Sequence, residues 1–92
     1  MITALCFVNT TPEHISSAGA AIAQIEGVRS VYSVTGKIDL VAIIEVKDHE
    51  EVAHVVADQM GQVPGITSTE THIAFRTYDK RDIEASFSIG NE

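Results

Sequence analysis

Four stretches of the chain have the composition of β-strands. Residues 2–8, 28–34 and 40–46 are short, apolar and rich in β-branched side chains, and residues 66–77 alternate apolar with polar positions. Only residues 35–39 separate the second stretch from the third, which predicts an antiparallel hairpin. The pattern therefore predicts four strands, two of them joined directly.

The segment between the first two strands has the 3.6-residue period of an amphipathic helix. Thr11 is the expected N-cap of this helix, because Pro12 then occupies the first helical position, where its missing N–H is not needed. Gly27 is expected to end it. The apolar face consists of residues spaced by three and four: Ile15, Ala18, Ile22 and Ile25.

A second helix is expected after the third strand. Asp48 and Glu51 have the spacing of a capping box, with Asp in place of Ser or Thr, and Pro64-Gly65 ends the segment. Its buried stripe is predicted to contain Val52, Val55, Val56, Met60 and Val63. The final stretch, "YDKRDIEASFSIGNE", fits either a short helix or a fifth edge strand.

The predicted order of elements is β-α-β-β-α-β, and the two halves of the chain resemble each other. The segment "IEGVRSV" after the first helix corresponds to "VPGITST" after the second. This order is typical of the ferredoxin-like, split β-α-β arrangement, an α+β sandwich of two helices on one sheet.

The first and third strands are apolar on both faces, whereas two helices cover only one face of a four-stranded sheet. In the first strand Ile2, Ala4, Cys6 and Val8 lie on one face and Leu5 and Phe7 on the other; in the third strand Val41 and Ile43 lie opposite Leu40, Ala42, Ile44 and Val46. Leaving a few hundred Å² of this apolar surface in contact with water would cost several kcal/mol of stability, at ~25 cal/mol per Å². Either the tail covers the second face or a second copy packs sheet against sheet. We favour the homodimer, because the tail has few large apolar groups.

Composition narrows the function classes. Thirteen acidic residues against six basic ones give a net charge of -7, which argues against direct binding to a phosphate backbone. Cys6 is the only cysteine, so no intramolecular disulfide forms and we expect a buried, reduced thiol. The chain has neither a signal-peptide pattern nor an apolar stretch of ~20 residues. We therefore expect a soluble, cytoplasmic protein.

The histidines form no recognisable catalytic or metal-binding pattern. His49 and His54 are five residues apart, roughly 140° around a helix axis, while His14 lies in the first helix and His72 in the fourth strand. No serine lies in a GxSxG elbow, and there is no glycine-rich phosphate loop. We expect no catalytic residue, no metal and no cofactor.

The hairpin "TGKID" and the strand entry "TSTET" carry the remaining candidate chemistry. Gly36 permits positive φ and leaves a backbone N–H uncovered for an anionic group, while Asp39 has the charge to bind an ammonium. Together these are the requirements of a free amino acid. Glycine and aspartate are also ordinary turn formers, so spacing alone leaves a purely structural role open.

The segments "VTGKIDLV", "VKDHEEV" and "VPGITSTETHI" resemble the effector-binding half of the Lrp/AsnC family of amino-acid-responsive transcriptional regulators, also called the RAM domain. The combined VTGxxD hairpin and PGIxxTxT strand carry most of the resemblance. It implies an effector-binding domain over residues 1–77 followed by a tail over residues 78–92. It also implies an α+β, ferredoxin-like fold of the dimeric α+β barrel type, in agreement with the element order.

The resemblance further implies how such a domain works. Family members dimerise through their sheets, dimers assemble into tetramers or octamers, and small effectors, commonly amino acids, bind between dimers. Gly36, Asp39, Thr69 and Thr71 match positions near that pocket. Lys37, at a variable position of the same hairpin, completes the candidate ligand-binding set.

The chain begins directly at the first strand, without the helix-turn-helix of the regulators, as in the family's stand-alone members. Without that domain, binding an effector, modulating a full-length Lrp/AsnC regulator by mixed assembly, or both, remain as tasks. Our leading hypothesis is a non-catalytic amino-acid-binding and oligomerisation module. One alternative is a small enzyme of the dimeric α+β barrel type, a monooxygenase or isomerase. In that enzyme His14, His72, Tyr32 or Tyr78 would line a cavity. A third hypothesis is a domain that only oligomerises.

Overall fold

The structure, a computed structural model, describes residues 1–80, which form a four-stranded antiparallel sheet with its helices on one side. The order across the sheet is β2-β3-β1-β4, and the strands are β1 (Ile2–Thr10), β2 (Val28–Ser33), β3 (Leu40–Val46) and β4 (Ile66–Ile73). Helix α1 spans Ile15–Ala23 and α2 begins at His49. The α+β, ferredoxin-like fold is therefore confirmed. No helix within residues 1–80 is long and apolar enough to cross a bilayer.

Alternation along the two central strands decides which side chains meet the helices. In β3, and in β1 from Ala4 onward, the even-numbered residues are buried and the odd-numbered ones are only half-buried, as the two apolar sets predict. The buried set joins the helices in one core: Ala4, Cys6, Val8, Ala18, Ile22, Leu40, Ala42, Ile44, Val46, Val52, Val55 and Met60.

The first helical region starts at the predicted residue in a tighter form than expected. Thr11 is extended, and Pro12–His14 form a 3₁₀ turn that leads into α1. The Thr11 side chain does not cap a backbone N–H; its Oγ1 lies 2.7 Å from His14 Nδ1 in a hydrogen bond. The prediction that Gly27 ends the helix was wrong: α1 ends at Ala23 with Gln24 as its C-cap, and Ile25 and Gly27, at φ +99°, lie in the turn before β2.

The second helical region departs from α-helical geometry. Asp48 accepts a hydrogen bond from Glu51 N at 2.9 Å, so the predicted cap is correct. Regular α-helix covers only His49–Ala53; His54–Gln59 form a π-helix and Met60–Gln62 a 3₁₀ turn. We call residues 49–62 the second helical segment. Of the predicted buried stripe, Val52, Val55 and Met60 are buried, whereas Val56 and Val63 are half-buried and pack against the core.

The prediction that the fourth strand extends to residue 77 was wrong. β4 ends at Ile73, and Ala74 N donates a last hydrogen bond to Thr3 O at 2.8 Å. The β1–β4 pairing therefore ends near Thr3, although β1 itself continues to Ile2. Phe75 and Tyr78 are exposed. The predicted short helix or fifth strand of the tail falls mainly on residues 81–92, outside the described part.

The sheet face opposite the helices, which we call the open face, is apolar over its two central strands. Leu5 is directly opposite Ile43, and Phe7 is opposite Val41. All four side chains remain half-buried. Tyr32 extends this face on β2, and His72 packs edge-on against Phe7, with ring centroids 5.4 Å apart. A single chain therefore leaves this apolar surface in contact with water.

Candidate ligand-binding site

The hairpin between β2 and β3 places the glycine of the candidate site in a conformation that suits glycine. Val34 N donates to Asp39 O at 3.1 Å and closes the turn. Gly36 has φ +110°, which confirms the positive φ expected from the sequence. A Cβ on Gly36 would meet nothing within 4 Å, so backbone conformation alone favours glycine here. Lys37 follows in the same turn and is exposed.

The Asp39 carboxylate has a structural partner on β1. Asp39 N donates to Val8 O at 3.1 Å, and Asp39 Oδ2 accepts from Thr10 N at 2.9 Å. The pairing between β1 and β3 ends at Val8 and Leu40. The Asp39 side chain therefore supplies an acceptor for the Thr10 N–H, which has no partner on β3. The carboxylate thereby fixes the hairpin to the end of β1. An ionised carboxylate still has acceptor sites free after one such bond.

Thr69 lies at the same end of the sheet as Asp39. Val8 pairs with Leu40 on one side and with Thr69 on the other, so Asp39 and Thr69 flank β1 at a separation on the order of two strand spacings, ~10 Å. The side chain of Thr69 is exposed. The structure therefore brings the hairpin and the start of β4 to one end of the sheet.

Thr71 lies further from the hairpin than Thr69 and is bonded within the protein. It pairs with Cys6, and its Oγ1 donates to Cys6 Sγ at 3.4 Å. Burial raises the pKa of the Cys6 thiol, and the hydrogen bond from Thr71 acts in the opposite direction. Thr71 is therefore the candidate whose hydroxyl already has a protein partner.

Sequence reasoning missed a contact that holds this end of the molecule together. Thr11 N donates to Gly65 O at 2.9 Å, which ties the start of the first helical region to the turn before β4. Gly65 has φ +92°, and a Cβ there would overlap the His14 side chain. The Pro-Gly pair marked a turn, but no sequence signal marked His14 as its packing partner.

The histidines are dispersed over the described residues. His54 pairs with Asp58 at 3.1 Å, His72 Nε2 lies 2.6 Å from Glu70 Oε2 on the open face, and His14 contacts Thr11. Among residues 1–80, no three His, Cys, Asp or Glu side chains are grouped to hold a metal ion. His14 and His72 lie on different parts of the molecule and line no common cavity there.

Residues 3–83 match the family model of the Lrp/AsnC ligand binding domain. The chain belongs to this family. Members of the Lrp/AsnC ligand-binding family are regulatory domains of transcription regulators, not catalytic ones. This finding confirms the family resemblance and removes the enzyme hypothesis.

Relatives of the Lrp/AsnC domain are longer proteins. The chain is 30% identical over 60 residues to the HTH-type transcriptional regulator LrpA of Pyrococcus abyssi, covering 65% of this chain and 43% of that protein. It is 29% identical over 80 residues to the uncharacterized HTH-type transcriptional regulator YugG of Bacillus subtilis, covering 84% and 48%. The chain thus spans about half the length of these relatives.

Solved structures of similar fold include one matched over its full length. TTHA0845 from Thermus thermophilus is 41% identical with a TM-score of 0.82, and the match covers 87% of this chain and 100% of that chain. Escherichia coli AsnC is 20% identical with a TM-score of 0.80, covering 87% and 54%. The regulator NMB0573 of Neisseria meningitidis, solved as a complex with L-Met, is 16% identical with a TM-score of 0.76, covering 85% and 52%. The last two show the fold alone.

Proposed function

We propose that this Lrp/AsnC domain binds a free amino acid at the hairpin end of its sheet and couples that binding to the assembly of several copies. The observation that carries the proposal is the position of Asp39. Its carboxylate is anchored by Thr10 N beside a positive-φ glycine turn, at the end of the sheet where Thr69 is exposed. This end of the sheet therefore presents two groups to a ligand, the anchored Asp39 carboxylate and the exposed Thr69 hydroxyl.

An α-amino acid has complementary groups for this arrangement. Its ammonium is a match for the acceptor capacity that Asp39 retains, and such charge-assisted bonds are stronger than neutral ones. Its carboxylate needs donors, which the hairpin backbone at Gly36, the Lys37 ammonium and the Thr69 hydroxyl supply. Thr71, already bonded to Cys6, lies furthest along β4 and forms the inner limit of the proposed site. The L-Met complex of the meningococcal regulator supports this ligand class.

Assembly is the second part of the proposal. The open face carries Leu5, Phe7, Val41 and Ile43, half-buried in a single chain, and a second copy packed sheet against sheet would remove them from water. Dimers would then assemble into tetramers or octamers with the hairpin ends near the contacts between dimers. Mixed assembly with a full-length Lrp/AsnC regulator in the cytoplasm would link effector binding to transcription.

Isothermal titration calorimetry with each of the twenty amino acids tests the proposal, using the wild type and Asp39→Asn. Asparagine keeps an oxygen for Thr10 N–H but loses the charge, so it separates ligand recognition from the anchoring role. We expect one or a few amino acids to bind the wild type and Asp39→Asn to weaken binding by about tenfold or more. Glu50→Gln, which neutralises an exposed carboxylate on α2, should bind like the wild type.

Two outcomes would contradict the proposal. Heats no larger than dilution for every amino acid would leave a domain whose task is assembly alone. Equal affinities for Asp39→Asn and the wild type would show that the ligand binds elsewhere. In either variant, an unchanged urea midpoint establishes that the fold is intact and that the comparison is valid.

A further inference from the structure

The chain leaves the sheet after β4 with two aromatic side chains in water. Residues 75–80, which we call the arm, include Phe75, fully exposed, and Tyr78, 76% exposed. Aromatic side chains are enriched at protein interfaces, so two exposed ones on one short segment make it a candidate contact surface. The arm also carries Arg76 and Lys80 beside a single carboxylate, Asp79.

A groove lies on the helical side of the sheet, between the turn after α1 and the second helical segment. Its volume is about 640 Å³, and it is open to solvent. Gly27 forms part of its wall, where a Cβ would come within 2.9 Å of Val46 and 3.1 Å of Val55. The groove is lined by three apolar side chains, Ile25, Val46 and Val55, of which Ile25 is the most exposed, and by two acidic ones, Glu26 and Glu51.

Two carboxylates, Glu26 and Glu51, form an acidic rim on the groove. Glu45 also borders it, but this residue has the open-face parity of β3 and its carboxylate pairs with Arg29 at 3.2 Å. Lys47 and His54 also line the groove, and the positive charge of Lys47 partly offsets the negative charge of the rim. An apolar floor with an acidic rim suits a ligand that combines an aromatic group with a cation, as Phe75 and Arg76 do.

The arm and the groove lie at the same end of the sheet. The last bond before the arm joins Ala74 N to Thr3 O, and the neighbouring pair Ile2 with Val46 reaches a groove residue. The arm leaves from edge strand β4, however, while the groove lies at the end of β3 beside the turn that leads into β2, with β1 between β3 and β4. Because Phe75 is fully exposed, the arm does not fill the groove of its own chain.

We infer that the arm of one copy docks into the groove of a second copy, with Phe75 on the apolar floor and Arg76 beside Glu26 and Glu51. The second copy is the occupant because the arm supplies the aromatic group and the cation that the groove fits, and both surfaces recur in every chain. The inference rests on the proposed assembly of copies but not on effector binding. It adds a contact that is separate from the open face.

Disulfide trapping with mixed single-cysteine variants tests this directly. An affinity-tagged Arg76→Cys chain is mixed with untagged Glu51→Cys under mild oxidation. Cys6 is buried with a raised pKa and does not compete. We expect a tagged species of twice the 9.9 kDa chain mass, linked between positions 76 and 51 by peptide mapping. Glu13→Cys, at an exposed carboxylate outside the groove, is the matched control and should cross-link poorly.

Charge exchange supplies the equilibrium test. Arg76→Glu and Glu51→Arg should each raise the dissociation concentration of the assembly by about tenfold, and an equimolar mixture of the two should recover most of the loss. Equal trapping at positions 51 and 13, or wild-type assembly in both charge variants, would overturn the inference. Calorimetry with amino acids is independent of these readouts, so failure of the arm contact and failure of effector binding are distinguishable.

Discussion

Asp39 combines two tasks at the residue scale, one structural and one proposed. Its Oδ2 holds Thr10 N, and its charge is the feature we assign to the ligand ammonium. Asp39→Ala removes both and confounds a loss of affinity with a loss of stability, whereas Asp39→Asn retains the anchoring bond. The sequence predicted the turn and the charge, but not the bond to Thr10, because no pattern along the chain shows which N–H lies opposite a strand end.

Cys6 gives a prediction about pH. Burial raises its pKa above the ordinary thiol value of about 8.5. The folded chain therefore holds the proton more tightly than the unfolded chain does. The stability from this group is complete below the ordinary pKa and is lost as pH rises through the raised one.

Urea unfolding between pH 7 and pH 10 measures this effect against Cys6→Ala. Lysines and tyrosines titrate in both proteins, so the difference between the two pH profiles isolates the thiol. We expect the wild type to lose stability more steeply than Cys6→Ala in this range. Parallel profiles would show that the thiol titrates alike in the folded and unfolded chains.

At the scale of elements, the contact between Gly65 and His14 joins the turn before β4 to the first helical region. Gly65→Ala introduces a Cβ at φ +92° that overlaps His14, so we expect a loss of roughly 1–3 kcal/mol from backbone strain, plus the overlap. His14→Gly in the same chain removes the Cβ and the ring that overlap, so it should relieve the overlap but not the strain. Urea unfolding of the single and double variants measures both terms.

Gly61→Ala is the control for this cycle. Gly61 lies in a helical turn, without positive φ, and a Cβ there meets nothing within 4 Å. We expect this variant to be as stable as the wild type or slightly more stable. If Gly65→Ala is as stable as Gly61→Ala, then the packing of Gly65 against His14 is not a constraint on the fold.

The spacing of apolar residues predicted the regular helices and strands. It did not predict where the backbone geometry changes within a helix or where a strand ends. Leu40–Val46 forms β3 with the predicted bounds, and Asp48 caps the second helical segment as expected. The π-helix was missed because the apolar pattern indicates which side chains of a helix are buried, Val55 and Met60 among them, but not the hydrogen-bond spacing of the turn between them. The end of β4 was missed because strand length depends on the partner strand, and β1 ends the pairing near Thr3.

At the scale of the whole molecule, the open face predicts an interface. Ile43→Lys places a charge opposite Leu5 at the centre of that face, and burying it against a second copy carries a desolvation cost. We expect the variant to fall to the 9.9 kDa monomer in light scattering at micromolar concentration while keeping its circular dichroism spectrum. Ser16→Lys adds the same charge at an exposed position on α1 and should leave the mass unchanged. An unchanged mass for Ile43→Lys would refute the interface.

The part of the candidate site that lies within one short stretch of sequence was predictable. Gly36 and Asp39 lie together in one hairpin, and the positive φ of Gly36 follows from local turn chemistry. That Thr69 lies on the other side of β1 depends on the order of the strands across the sheet, which the pattern along any one strand does not show. The engagement of Thr71 with Cys6 required the three-dimensional register.

The coupling of effector binding to assembly is the central claim. Light scattering on a dilution series of the wild type and Asp39→Asn, with and without a mixture of the twenty amino acids, tests it most directly. We predict that the mixture changes the mass of the wild-type assembly or lowers the concentration at which it dissociates, and that Asp39→Asn does not respond. A wild type whose mass and dissociation are the same with and without the mixture would contradict the account.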